Sequence, residues 1–112
     1  MPPRDWRLRI RDIVAAIQRI QRYTAGLTFE LFQRDEKTVE AVCFALVVIG
    51  EAATHVPDAV QASAPGIPWR KMRGMRNIAA HEYFGLDIET VWQTATRDVP
   101  ALEGQLEALL NT

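Results

Sequence analysis

Four polar residues between positions 70 and 81 form the most chemically suggestive group in this sequence: Arg70, Arg73, Asn77 and His81. On a helix, at ~100° per residue, Arg70, Asn77 and His81 share one side, with Arg73 at its border. Guanidinium groups bind phosphates through paired hydrogen bonds, and a histidine gains or loses a proton near neutral pH. The group therefore predicts a phosphate-binding site with an acid or a base beside it.

The surroundings of this group are basic. Residues 65–76 carry three Arg and one Lys with no acid, although the whole chain has a net charge of −1. A locally basic surface on a nearly neutral protein suits a confined phosphate-binding groove. Gly74 leaves room for another backbone to approach closely. We expect Arg70, Lys71 and Arg73 to contact phosphate.

The same residue types permit cleavage of RNA without a metal ion. RNA supplies its own nucleophile, the 2′-hydroxyl group, so the protein needs only an acid or base and a charge that stabilises the pentacoordinate phosphorus. His81 and the arginines provide both, and the product would carry a 2′,3′-cyclic phosphate. A histidine near the C-terminal end of a helix, however, is more often a cap or a partner of the helix dipole. The residue types alone leave both interpretations open.

Other reaction classes lack their residues. The only serine, Ser63, has no G-x-S-x-G sequence around it, and no glycine-rich phosphate loop occurs. Two histidines and one cysteine at unrelated spacings predict no zinc site. Cys43 cannot form an internal disulfide, which fits a reducing compartment, and we expect it in the core. The longest apolar run, residues 41–50, is about half the ~20 residues of a membrane span. We expect a cytoplasmic, soluble protein without metal or cofactor.

Apolar spacing and capping residues predict the elements in the first half of the chain. Asp5 caps a helix of 18–20 residues that ends near Gly26, and residues 28–34 form a short helix. Asp35 caps a second long helix, which ends before Pro57. Both long helices have one face that suits burial in a core.

The second half of the chain continues the helical pattern. A short helix is predicted over residues 58–64, and residues 69–84 form the helix that carries the polar group. Asp87 caps a last helix that Pro100 kinks or divides. The predicted fold is all-α, an up-down bundle of four main helices plus short helices, in a single domain over residues 1–112.

The helix that begins after Asp35 is apolar on two sides. One stripe consists of Val39, Val42, Leu46, Ile49 and Ala53. A second, nearly opposite stripe consists of Phe44, Val48, Glu51 and His55. Because a domain this small can cover only one stripe from within, we expect the second to contact another copy of the chain. The sequence therefore predicts a homodimer.

One segment of the polar region matches a known motif. Residues 76–83, R-N-I-A-A-H-E-Y, fit R-x4-H-x-Y, the motif of HEPN-domain ribonuclease toxins. The chain resembles specifically the HepT-like family, since residues 48–57, 67–77 and 82–92 also look like that family. The similarity covers roughly residues 8–110.

The resemblance implies a dimeric, metal-independent endoribonuclease that acts on tRNA or mRNA in a cleft where the motifs of both subunits meet. It also implies the toxin of a toxin–antitoxin pair, whose partner is a minimal nucleotidyltransferase antitoxin. In the best-understood branch this partner silences the toxin by transferring AMP from ATP to the motif tyrosine, here Tyr83. Carried over by position, His81 is the acid or base, Arg76 is the ligand of the phosphate and the transition state, and Asn77 orients or donates a hydrogen bond.

Several of these residues have a second interpretation. Arg76 lies ~140° from His81 on a helical wheel, so either its side chain reaches round the helix or the two motifs act across the dimer axis. Alternatively, Arg76 forms a buried ion pair with Glu51. Glu51 and His55 would line the same cleft, although His55 also suits a structural role at a helix end. Tyr83 would otherwise be an aromatic anchor.

Two other functions compete with the nuclease. The first is a non-catalytic dimeric HEPN module that binds and regulates a nucleotidyltransferase. The second is a basic helical RNA-binding protein, which predicts salt-sensitive binding without products. Incubation with labelled tRNA separates both from a nuclease.

Overall fold

The computed structural model describes residues 5–78 and 87–112, and both ranges are helical apart from short connections. The α-helices are α1 (Trp6–Thr24), α2 (Phe29–Arg34), α3 (Glu36–Thr54), α4 (Asp58–Ser63), α5 (Trp69–Arg73), α6 (Ile88–Gln93) and α7 (Glu103–Leu110). The π-helical turn Thr94–Asp98 and the 3₁₀ turn Pro100–Leu102 join α6 to α7. These two ranges contain no β-strand, which confirms the all-α class; the four-helix order and the single domain stay predictions.

Three helices begin at the predicted aspartates. The Asp5 side chain accepts a hydrogen bond from a backbone N–H in the first turn of α1 at 3.0 Å. The Asp35 and Asp87 side chains accept from the backbone N–H groups of Thr38 and Thr90 at 3.1 and 3.2 Å. Each carboxylate satisfies a backbone donor that has no partner within the helix. The capping pattern thus predicted the starts of α1, α3 and α6.

The core forms where α1 packs against α3. Both present a continuous apolar face there, with α1 burying Ile10, Ile13, Ile17 and Ile20 and α3 burying Val39, Val42, Leu46, Ile49 and Ala53. The first predicted stripe of α3 is therefore confirmed as core. Cys43 is only half-buried against this core, less than the predicted core position.

The second stripe of α3 lies at the surface of the single chain. Phe44 is 68% exposed, Glu51 and His55 are exposed, and Val48 is half-buried. An aromatic side chain this exposed is unusual on a small protein and marks a surface suited to an interface. Pairing with another copy through this stripe stays a prediction.

The helix predicted over residues 69–84 begins as expected but is interrupted. α5 ends at Arg73, Gly74 forms a turn, and residues 75–78 are again helical. Glycine has nearly the lowest helix propensity, so an interruption at this position has a direct cause. The Gly74 carbonyl accepts from the backbone N–H of Asn77 at 2.9 Å, so the chain continues in helical form. Residues 79–84 lie outside the described residues.

The last helical segment is divided at Pro100, as predicted. Proline lacks a backbone N–H, and its ring clashes with the carbonyl four residues earlier in an α-helix. The chain avoids this clash with a wider turn, in which the backbone N–H of Val99 donates to the carbonyl of Thr94 at 2.9 Å. The apolar positions stay buried across the turn: Val91, Ala95, Val99, Leu102, Leu106 and Leu109.

Candidate active site

The site is built where residues 73–76 cross α3 at Gly50. A Cβ atom placed on Gly50 would lie 2.6 Å from Cγ of Arg76 and 3.1 Å from its backbone nitrogen. The same atom would lie 3.2 Å from the carbonyl oxygen of Arg73. Real Cβ atoms essentially never come within 3.0 Å of another heavy atom, so only glycine allows the two segments to approach this closely.

This approach places Arg76 against the next residue of α3. Its Nη1 atom donates a hydrogen bond to Oε2 of Glu51 at 2.8 Å, and the two side chains are 46% and 51% exposed. The ion pair that the sequence suggested is therefore present. It is half-exposed rather than buried, because Glu51 belongs to the open stripe of α3. Water still reaches both charged groups, so this pair avoids the full desolvation cost of a buried one.

The carboxylate of Glu51 also approaches the ring of His55. Its Oε1 atom lies 3.7 Å from Nδ1 of His55, one turn further along α3. The same Nδ1 atom lies 2.9 Å from the backbone carbonyl oxygen of Glu51. A carbonyl oxygen can only accept a hydrogen bond, so the hydrogen in this contact is assigned to Nδ1 of His55. His55 thus contacts the backbone at the C-terminal end of α3, and it also adjoins the partner of Arg76.

Arg73 is engaged elsewhere. Its Nη1 atom donates to Oε1 of Gln61 at 2.7 Å, and Nε2 of Gln61 donates to the carbonyl oxygens of Val56 and Ala53 at 3.0 and 3.4 Å. Arg73 is half-buried in this network, which satisfies carbonyl groups beyond and within the last turn of α3. The arginine predicted to contact phosphate therefore also ties α5 to α4.

Arg70 and Lys71 are the two open cations of α5. Both are exposed, and neither side chain forms a hydrogen bond or an ion pair with another residue of the described ranges. Lys71 also lines a groove of about 630 Å³ together with Met75, Ile78 and the turn Thr94–Asp98. The basic residues around Gly74 therefore reach different neighbours and do not form one continuous face.

The remaining predicted site residues are Asn77, His81 and Tyr83. Asn77 is exposed, three positions after Gly74. His81 and Tyr83 lie outside the described residues, so the predicted alignment of Arg70, Asn77 and His81 along one side stays a prediction. Among the described candidates, the residues that lie together are Arg76, Glu51 and His55.

Sequence reasoning missed the glycine that makes this arrangement possible. Gly50 interrupts the apolar run of α3 and directly precedes Glu51, the only charged residue between Glu40 and Asp58. A glycine inside a long helix carries an energetic cost, so it signals a close contact at that position. That signal was present in the sequence. Gln61, which holds Arg73, gave no comparable signal.

The described part of the chain contains no group of three or more His, Cys, Asp or Glu side chains arranged to hold a metal ion. None of its helices combines the length and the apolar character that crossing a bilayer requires.

Comparison with known proteins supplies the family. The family model described as "Ribonuclease HepT-like" matches residues 13–109. "Probable ribonuclease HepT" from Thermococcus cleftensis is 42% identical over 100 residues, which cover 89% of this chain and 91% of that protein. "Putative RNase MJ0125" from Methanocaldococcus jannaschii is 34% identical over 110 residues, covering 98% of this chain and 95% of that protein. No solved structure matches the chain. The chain belongs to the ribonuclease HepT-like family.

Proposed function

We propose that this protein is a metal-independent endoribonuclease and the toxin of a toxin–antitoxin pair. The observation that carries the proposal is the family match over residues 13–109, which includes the complete R-x4-H-x-Y sequence from Arg76 to Tyr83. The half-exposed guanidinium group of Arg76 supports it, because a phosphate can reach that group from solvent.

In this mechanism His81 accepts the proton of the 2′-hydroxyl group of RNA. The 2′ oxygen then forms a bond to phosphorus, the bond from phosphorus to the 5′ oxygen breaks, and that oxygen takes up a proton from an acid in the cleft. The products are a 2′,3′-cyclic phosphate and a 5′-hydroxyl group. Arg76 binds the non-bridging oxygens, and Asn77 orients the phosphate. The carboxylate of Glu51 occupies one of the five N–H donors of Arg76, which leaves four for the phosphate.

The active species is a homodimer whose interface is formed by the second stripe of α3. Phe44 supplies the exposed apolar contact at one end of this stripe, and Glu51 and His55 lie at the other. Because Glu51 holds Arg76, a symmetric dimer that uses the stripe brings the motif of each copy to the edge of the shared interface. RNA then binds across that edge, with Arg70, Lys71 and Arg73 adding positive charge.

The first experiment tests catalysis. The purified wild-type protein and the variant His81→Ala are incubated with 5′-labelled tRNA, with and without EDTA. We expect the variant to cleave about 10²–10⁴-fold more slowly and EDTA to change nothing, since a positioned acid or base contributes about that factor. Circular dichroism and size-exclusion chromatography check that the variant keeps its fold and oligomeric state. Undiminished cleavage by a folded His81→Ala variant would remove His81 from the mechanism.

The second experiment tests regulation. The proposed partner is a minimal nucleotidyltransferase that adds AMP to Tyr83 and thereby blocks the RNA cleft. Coexpression with a nucleotidyltransferase encoded beside the toxin gene is expected to raise the intact mass by whole AMP units. Tyr83→Phe should abolish the increase, whereas Tyr23→Phe, which changes the only other tyrosine, should not. AMP on the Tyr83→Phe variant would place the modification elsewhere.

The pairing of Arg76 with Glu51 also favours a second candidate, the non-catalytic dimer that regulates a nucleotidyltransferase. In that protein the guanidinium group would serve only to hold residues 75–78 against α3. Its signature is binding to the nucleotidyltransferase together with an absence of RNA products from the wild-type protein.

A further inference from the structure

We propose that Glu51 is a positioning residue, which fixes the guanidinium group of Arg76 in the orientation that binds the scissile phosphate. The inference rests on the proposed function for its consequence in catalysis. Its structural part, the ordering of one side chain by another, stands on contacts within the described residues.

Arg76 needs such a restraint because of its length and exposure. An arginine side chain loses up to about 2 kcal/mol of rotamer entropy when it is held in one conformation. With 46% of its surface exposed, packing alone does not confine it. A mobile guanidinium group would lose that entropy when it binds the phosphate, which raises the reaction barrier. A group that folding has already fixed does not add this cost to the reaction.

Two contacts provide the restraint, one at each end of the side chain. Near the backbone, the bare Cα of Gly50 admits Cγ of Arg76 into a space that any larger residue would fill. At the tip, Glu51 accepts the hydrogen bond from Nη1 at 2.8 Å. Both partners are consecutive residues of α3, so the base and the tip of Arg76 are fixed to the same rigid helix.

Glu51 is itself held in place. It lies within α3, and its second carboxylate oxygen is 3.7 Å from the ring nitrogen of His55. That ring is tied to the backbone carbonyl of Glu51 at 2.9 Å. The carboxylate of Glu51 thus lies between Arg76 and His55. Its hydrogen bond with Arg76 occupies one guanidinium N–H group and leaves the others for a phosphate.

Glu51 has one alternative role, in which it weakens the binding of phosphate, and this role predicts a different change in kcat and KM. A carboxylate beside Arg76 also repels an incoming phosphate, so Glu51 could act as a competitor that weakens binding. Removing a competitor lowers KM and leaves kcat unchanged or raised. Removing a positioning residue lowers kcat and leaves KM nearly unchanged, since the charge of Arg76 remains but its geometry is lost.

The test compares Glu51→Gln with Glu40→Gln in the full-length protein. Both changes remove one negative charge from an exposed position on α3, but the side chain of Glu40 forms no hydrogen bond or ion pair with another residue of the described ranges. We expect Glu51→Gln to lower kcat for tRNA cleavage about 10- to 100-fold with little change in KM, because small misplacements of a catalytic group cost up to about 10² in rate. Glu51→Asp should recover part of the loss, and Glu40→Gln should behave as wild type.

A second readout does not depend on activity. In ¹⁵N NMR spectra of the arginine side chains, the order of the Nε–H group of Arg76 should fall in Glu51→Gln and stay unchanged in Glu40→Gln. A raised or unchanged kcat with a lowered KM would overturn the proposal in favour of a competitor, and unchanged order at Arg76 would overturn it outright. If the wild-type protein yields no RNA products while Arg76 still loosens in Glu51→Gln, the proposed function fails and the ordering by Glu51 survives.

Discussion

Replacing Gly50 by alanine should damage the site far more than the size of a methyl group suggests. The added Cβ atom would lie 2.6 Å from Cγ of Arg76, which can move, but also 3.1 and 3.2 Å from two backbone atoms of residues 73–76, which cannot move independently. Overpacking of this kind costs about 1–3 kcal/mol. Alanine in a helix gains about 0.5–1 kcal/mol over glycine. The free energy of unfolding should therefore fall by up to roughly 2.5 kcal/mol, the largest difference between these two effects.

The matched control is Gly104→Ala in α7. A Cβ atom on Gly104 would meet no heavy atom within 4 Å, so only the propensity gain applies. We expect urea unfolding to give Gly104→Ala a stability equal to or up to about 1 kcal/mol above wild type. RNA cleavage by Gly50→Ala should fall by up to about 10²-fold, because the crossing segment that carries Arg76 must shift outward. A Gly50→Ala protein as stable and as active as Gly104→Ala would refute the close approach.

The remaining predictions concern the second stripe of α3, the Gln61 network and the Asp35 cap. Phe44→Asp should convert a dimer to a monomer in light scattering, because it places a charge in the apolar contact; an unchanged mass would exclude this stripe. Gln61→Ala should lower stability by about 1–3 kcal/mol, because the carbonyl of Val56 and the guanidinium group of Arg73 each lose a hydrogen-bond partner, and equal loss in Gln33→Ala, which is exposed, would contradict that. The hydroxyl and backbone N–H of Thr38 lower the pKa of Asp35. The Asp35 cap therefore stabilises the folded state fully above the unfolded aspartate pKa of ~3.9. This stabilisation is lost as the pH falls through the lowered pKa of Asp35 in the folded protein. In Thr38→Val the pKa of Asp35 should rise toward its ordinary value, which NMR titration can measure. An unchanged pKa would show that the hydroxyl group of Thr38 does not lower it.

Much of the fold could be predicted because its signals are local. An aspartate before an apolar run predicts a helix start from hydrogen bonding within one turn, and this held for Asp5, Asp35 and Asp87. The buried stripe of α3 followed from its 3.6-residue spacing alone. Pro100 predicted the division of the last segment because its missing N–H acts at a known position.

The parts that could not be predicted depend on contacts between elements. A helical wheel gives the direction of Arg76 around its own axis but not its distance from α3, so the ion pair with Glu51 was one of two interpretations and its exposure was not predicted. The wheel also assumed an unbroken helix, whereas Gly74 interrupts it. Likewise, Arg73 looked like a surface cation because nothing in its own segment indicates Gln61, twelve positions earlier.

The wide turn Thr94–Asp98 has a consequence for insertions in this family. This turn already holds one residue more than an α-helical turn, and an α-helix turns through about 100° per residue, so inserting a further residue would rotate α7 by about that angle relative to α6. Leu106 and Leu109 would then leave the interior and polar residues would enter it. Insertions should be rare here and frequent in the exposed connection around Gly26, and an aligned set of related sequences can be checked for that contrast.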